Sequence, residues 1–149
     1  MSNTLPLAML IELAQNKTDE STRRLGQLQN AHTSAAQKLA LLLEYRQEYY
    51  DKLQAQMRDG VPSARWRNFQ HFIGTLDGAI DQQSAIAAQA DTRLSNGRID
   101  WQQNKRRLSS FGTLAERNRQ RQLGIINKRE QRDSDEHAAR QFQLRTATD

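Results

Sequence analysis

The chain has 149 residues, 36% hydrophobic and 6% aromatic, with a mean hydropathy of -0.90 and a net charge of +5. A compact domain of this length buries a larger apolar share, whereas a coiled coil buries only a narrow seam. The absence of cysteine excludes disulfides and thiolate metal sites, and a single valine, Val61, argues against a β-sheet.

The apolar start, Leu5 to Ile11, lacks a basic lead and meets Glu12 at once, so it does not read as a signal peptide. No uncharged stretch approaches the roughly 20 residues of a membrane span, and a cytoplasmic location is expected. A first helix is predicted over about residues 4–58, with Pro6 in its first turn, where proline is tolerated. Its seam steps alternately by 3 and 4 through Leu7, Ile11, Ala14, Thr18, Ser21, Leu25, Leu28, His32, Ala35, Leu39, Leu42, Arg46, Tyr49, Leu53 and Gln56. Ten of these 15 positions are apolar, far above the chance share, and a period near 3.5 marks a coiled coil.

The breaker-rich segment Asp59-Gly60-Val61-Pro62-Ser63 predicts a turn over 59–63. Gly60 suits the left-handed conformation that ends a helix, and Ser63 suits the N-cap of the next. The second helix is predicted over about 64–138. Its unbroken seam runs Phe69, Ile73, Leu76, Ile80, Gln83, Ala87, Ala90, Leu94, Gly97, Trp101, Asn104, Leu108, Phe111, Ala115, Asn118, Gln122 and Ile125, with 12 of 17 positions apolar. So short a turn forces antiparallel packing. The expected fold is all-α, a single long antiparallel two-helix coiled coil over 1–149. Helix two outlasts helix one, and a loosely ordered tail is expected from about residue 140. Polar seam positions (Thr18, Ser21, His32, Arg46, Gln83, Asn104) and glycines in helix two, each costing about 1 kcal/mol, imply local pliability.

Catalysis finds no foothold. His32, His71 and His137 lie far apart without ligand spacing, no glycine-rich phosphate loop or nucleophile elbow occurs, and a two-helix rod has no concave pocket. Neither enzyme activity nor a metal or cofactor is expected.

The positive charge is concentrated. Residues 98–132 hold ten basic and three acidic side chains, with Arg117, Arg119, Arg121, Lys128 and Arg129 prominent among the cations. Such a run is a solvated face, a surface for an acidic protein, or a rail for nucleic acid. The stretch has few aromatics for base stacking, since Trp101 and Phe111 sit on the seam, and nucleic acid is the least favoured partner.

Six of the nine aromatic residues flank the turn: Tyr45, Tyr49, Tyr50, Trp66, Phe69 and Phe72. Tyr49 and Phe69 lie on the seams, while Tyr45 and Phe72 fall beside them; the group is either a partly exposed contact patch or a cap on the end of the seam.

Here the sequence resembles the flagellar export family FliJ. The resemblance rests on Leu42-Leu43-Glu44-Tyr45-Arg46-Gln47-Glu48-Tyr49, on Arg65-Trp66-Arg67-Asn68-Phe69-Gln70-His71-Phe72-Ile73 and on Thr75-Leu76-Asp77-Gly78-Ala79-Ile80. It implies a non-enzymatic cytoplasmic component of the flagellar type III export apparatus, peripheral to the inner membrane at the flagellar base and serving motility and chemotaxis. It implies an antiparallel coiled coil similar to the stalk subunit of rotary ATPases. The implied partners are the hexameric export ATPase, into whose ring one end inserts, the cytoplasmic linker of the export gate, and export chaperones. The gate-binding patch of the family falls on Leu42, Tyr45, Tyr49, Phe72, Leu76 and Ala79. Lys38 and Gln83 depart from the family pattern at its edge. The cations at Arg117, Arg119, Arg121, Lys128 and Arg129 are the expected contacts with the ATPase ring. The equivalent stalk of a virulence secretion system is the rival within the same fold; a basic hairpin for nucleic acid is the rival from another class.

Overall fold

A computed structural model describes residues 6–148. Among them are two α-helices and no strand: α1, Leu7–Met57, and α2, Ser63–Ala147. The protein is all-α, as its sequence predicts.

Each helix begins on a proline. The Pro6 carbonyl accepts from the Leu10 amide at 3.1 Å, and the Pro62 carbonyl accepts from the Trp66 amide at 3.1 Å. A proline there forfeits nothing, because the first amides of a helix have no intrahelical partner. This corrects two expectations. Pro6 precedes the first turn instead of lying within it, and Ser63 is the first helical residue, with Pro62 in the capping position assigned to it. α1 closes through tight bonds from Asp59 to Gln56 and from Gly60 to Met57. Gly60 then reverses the chain at φ 81°, a conformation that side chains with a Cβ resist.

The far end of α2 also differs from expectation. The helix continues to Ala147, well past residue 138, where a loosely ordered tail was expected. Its last stretch holds no proline or glycine, and alanine, glutamine, leucine and arginine there are good helix formers. Arg145 in the last turn complements the helix dipole.

Contacts group the chain into two compact units, one of residues 17–104 and one joining the residues up to 16 with those from 105 onward. Within residues 17–104 the helices pack as an antiparallel hairpin. Tyr49 meets Phe69 and Phe72, Arg46 meets Asp77, His32 meets Asp91, and Ser21 meets Asp100. The buried apolar residues of this unit, Ala35, Leu53, Ile73, Leu76 and Leu94, are all predicted seam positions. In the other unit Ala14 is buried, while Leu7, Leu10, Ile11, Leu108, Phe111 and Ala115 are half-buried. The seam on α2 fades after Ala115: Asn118, Gln122 and Ile125 are exposed, and so is every described residue from Glu116 on.

The polar positions that interrupt the seam are matched across the two helices. The Thr18 hydroxyl donates to the Asn104 carbonyl at 3.3 Å, and the Gln83 amide donates to the Ala35 carbonyl at 3.1 Å. His32 Nε2 lies 3.3 Å from Asp91 Oδ1, and Arg46 Nε lies 2.6 Å from Asp77 Oδ1. No described buried side-chain polar atom is left without a partner, as a stable interior requires.

Candidate partner-binding surface

The turn end of the hairpin is built from aromatic rings. Tyr49 on α1 stacks on Phe69 of α2 with ring centres 4.5 Å apart and planes at 23°, and the Phe72 ring is 4.4 Å from it. Tyr45, one turn earlier, meets Phe72 edge-on at 6.1 Å. Trp66 lies parallel to Phe69 at 6.4 Å, and Tyr50 meets Phe69 edge-on at 6.2 Å. Offset and edge-on pairs add about 0.5–1.5 kcal/mol each beyond the area they bury. This cluster therefore holds an end of the hairpin that two helices alone would leave thin.

The rings divide between two flanks. On one, Lys38, Leu41, Leu42, Tyr45 and Gln83 line a shallow apolar groove. On the other, Tyr50, Leu53, Trp66, Phe69, Gln70, Ile73, Gly74 and Asp77 line a second hollow. Arg46 borders this second flank, with its guanidinium 4.8 Å from the centre of the Tyr50 ring. The hydrogen bond to Asp77 and that carboxylate's charge raise the Arg46 pKa above its ordinary value.

The six residues matched to the family's gate-binding patch come together at this end but are not equally available. Tyr45 is 48% exposed, whereas Leu42, Tyr49, Phe72 and Ala79 are half-buried. Leu76 is only 7% exposed and belongs to the core beneath the patch. Sequence reasoning passed over Leu41, which is 63% exposed and lines the same groove as Leu42 and Tyr45. The signal was present as an apolar residue one position off the seam beside an aromatic; the seam count set it aside.

The cationic stretch lies where α2 is exposed all round. Arg117, Arg119, Arg121, Lys128 and Arg129 are all exposed. Arg119 is held by Glu116, at 2.8 and 3.1 Å. That hydrogen bond lowers the Glu116 pKa and raises that of Arg119. The other four make no ion pair among the described residues. Their charge is free to act on a partner, whereas that of Arg119 is largely balanced. Trp101 is half-buried on the seam and donates its indole N–H to the Thr22 hydroxyl at 3.0 Å.

No three or more acidic or histidine side chains cluster as a metal site among the described residues, and none of the described helices is long and apolar enough to cross a membrane.

The sequence profile described as "Flagellar FliJ protein" matches residues 2–147. The chain belongs to the FliJ family of flagellar proteins. It is 33% identical to the flagellar FliJ protein of Salmonella typhi and 34% identical to that of Escherichia coli (strain K12). Each match extends over 134 residues, covering 90% of this chain and 91% of the relative. The match takes in both the aromatic turn and the cationic stretch, so family membership belongs to the whole length and not to the turn motif alone.

Proposed function

We propose that this FliJ-family chain is a non-catalytic, cytoplasmic component of the flagellar protein export apparatus, acting as a stalk between the hexameric export ATPase and the export gate. The observation that carries this reading is the family match across residues 2–147 together with an aromatic surface at the turn whose rings are only partly buried. Leu42, Tyr45, Tyr49, Phe72 and Ala79 form the contact with the cytoplasmic linker of the gate, and Leu76 supports them from the core. Arg117, Arg121, Lys128 and Arg129 face acidic residues lining the ATPase ring, with Arg119 shared between the ring and Glu116. Export chaperones are further partners, and association with the inner membrane is peripheral, through the gate. The aromatic motif favours the flagellar apparatus over a virulence secretion system.

The test is a pull-down of the full chain with the ATPase and with the gate linker, followed by ATPase assays with and without the chain. The expected result is capture of both partners and a raised ATPase rate, reduced when Arg117, Arg121, Lys128 and Arg129 are reversed in charge. Unchanged stimulation by that variant overturns the ring contact. Failure to capture either partner, combined with RNA binding that survives moderate salt, overturns the whole reading in favour of a nucleic-acid module.

A further inference from the structure

A coiled-coil hairpin faces a choice that its apolar seam does not make. The predicted seams step by 3 and 4 without a skip from Thr18 to Leu53 and from Phe69 to Asn104. Sliding one helix by a heptad would again set mostly apolar residues against apolar ones. The turn restrains such a slip only near Gly60, and a few melted residues beside it would absorb the shift.

Far from the turn, one layer is built differently. Ser21, 4% exposed, donates its hydroxyl to Asp100 Oδ2 at 3.1 Å and accepts a hydrogen bond from the Asn104 amide. Thr18, 6% exposed, donates to the Asn104 backbone carbonyl. Arg24 approaches the same Asp100 carboxylate at 3.7 Å. Nearby, Leu28 lies directly against Gly97, so that a Cβ at Gly97 would collide with the Leu28 Cδ1 methyl. Gly97 is the only glycine on the α2 seam.

We infer that the Ser21–Asp100–Asn104 layer, with Leu28 seated on Gly97, selects a single pairing register for residues 17–104. Slid a heptad one way, Asn104 faces Leu28; slid the other way, Ser21 faces Gly97. Either way, buried polar groups lose their partners, and an unsatisfied buried group costs far more than a satisfied one contributes. Leu28 in turn would face Asn104 or Ala90, and neither offers the seat that Gly97 leaves. Polar residues at core positions of coiled coils are best attested in this role of fixing register at some cost in stability.

The chain has no native cysteine, so introduced pairs report register directly. Ala35, whose carbonyl receives the Gln83 amide, lies opposite the turn of α2 that contains Ala87. Ala35→Cys with Ala87→Cys reports the native register, and Ala35→Cys with Ile80→Cys or with Leu94→Cys reports a slip in either direction. Oxidation at monomeric concentration, read by mass spectrometry, should cross-link only the first pair in the parent chain. Adding Ser21→Leu, Asn104→Leu and Gly97→Ala should raise cross-linking of the slipped pairs by about tenfold, the scale set by one unsatisfied buried group, with helicity retained. If the leucines reduce helicity, Ser21→Ala and Asn104→Ala with Gly97→Ala carry the same expectation. Slipped pairs that stay at the parent level in a helical variant overturn the inference. So does loss of helicity in both variants, which would make the layer a requirement for pairing of any kind.

Discussion

Arg46 reaches from α1 to set its Nε 2.6 Å from Oδ1 of Asp77 on α2. The same guanidinium extends a hydrogen bond to the Tyr50 hydroxyl at 3.5 Å and covers that ring. A charged seam residue that looks like a flaw in the heptad pattern thus joins both helices and one flank of the aromatic cluster. Arg46→Ala and Asp77→Ala should each lower the melting midpoint, and the double variant should lower it by less than the sum of the two. Strictly additive losses, measured by circular dichroism at low salt, would show that the two side chains act separately.

The glycines of α2 should divide by their surroundings. Gly78 and Gly112 have open space where a Cβ would stand, and alanine there should stabilise the helix by up to about 1 kcal/mol. Gly97→Ala should forfeit that gain, because Leu28 must first leave its place. Gly60→Ala should destabilise the chain by about 1 kcal/mol or more, since its φ of 81° strains a residue carrying a Cβ. Urea titrations of the four variants rank these expectations.

Exposure separates contact from support in the aromatic surface. Leu41→Asp, and Tyr45→Ala combined with Phe72→Ala, should lower capture by the gate linker while the helical signal stays near that of the parent. Leu76→Ala should instead cost about 2 kcal/mol or more of stability, as truncation of a buried leucine does. Normal linker capture by the Leu41→Asp chain would remove Leu41 from the surface.

Glu116 restrains one cation of the exposed stretch. Glu116→Gln should release Arg119 and strengthen binding to an acidic ring at low salt, whereas Arg117→Glu should weaken it. Both effects should fade as ionic strength rises and shortens the reach of the charges. A salt titration of binding checks sign and screening together.

Much of this molecule was legible in its residues. The 3–4 spacing located the buried positions from Ala14 to Leu94, because a narrow seam between two helices demands that period and little else. Gly60 and Pro62 announced the turn, and the aromatic run around it announced the ring cluster that joins the helices there. The helix starts were read less well, since a proline carbonyl served where a serine side chain was expected. α2 also runs further than its sequence predicts: nearness to a terminus suggests a loose tail, although the final residues are good helix formers without a breaker. Leu41 was missed because position relative to a seam does not reveal which flank a groove will open on.

By itself the sequence determined the helical class, the place of the reversal, the buried stripe and the cation-rich stretch, all consequences of local propensity and periodicity. Only the tertiary structure decided what the polar seam residues do. Ser21, Gln83, Arg46 and Asn104 look like defects until residues dozens of positions away arrive opposite them. A buried polar group is costly or specific according to whether its partner is there, and the chain order alone does not place that partner.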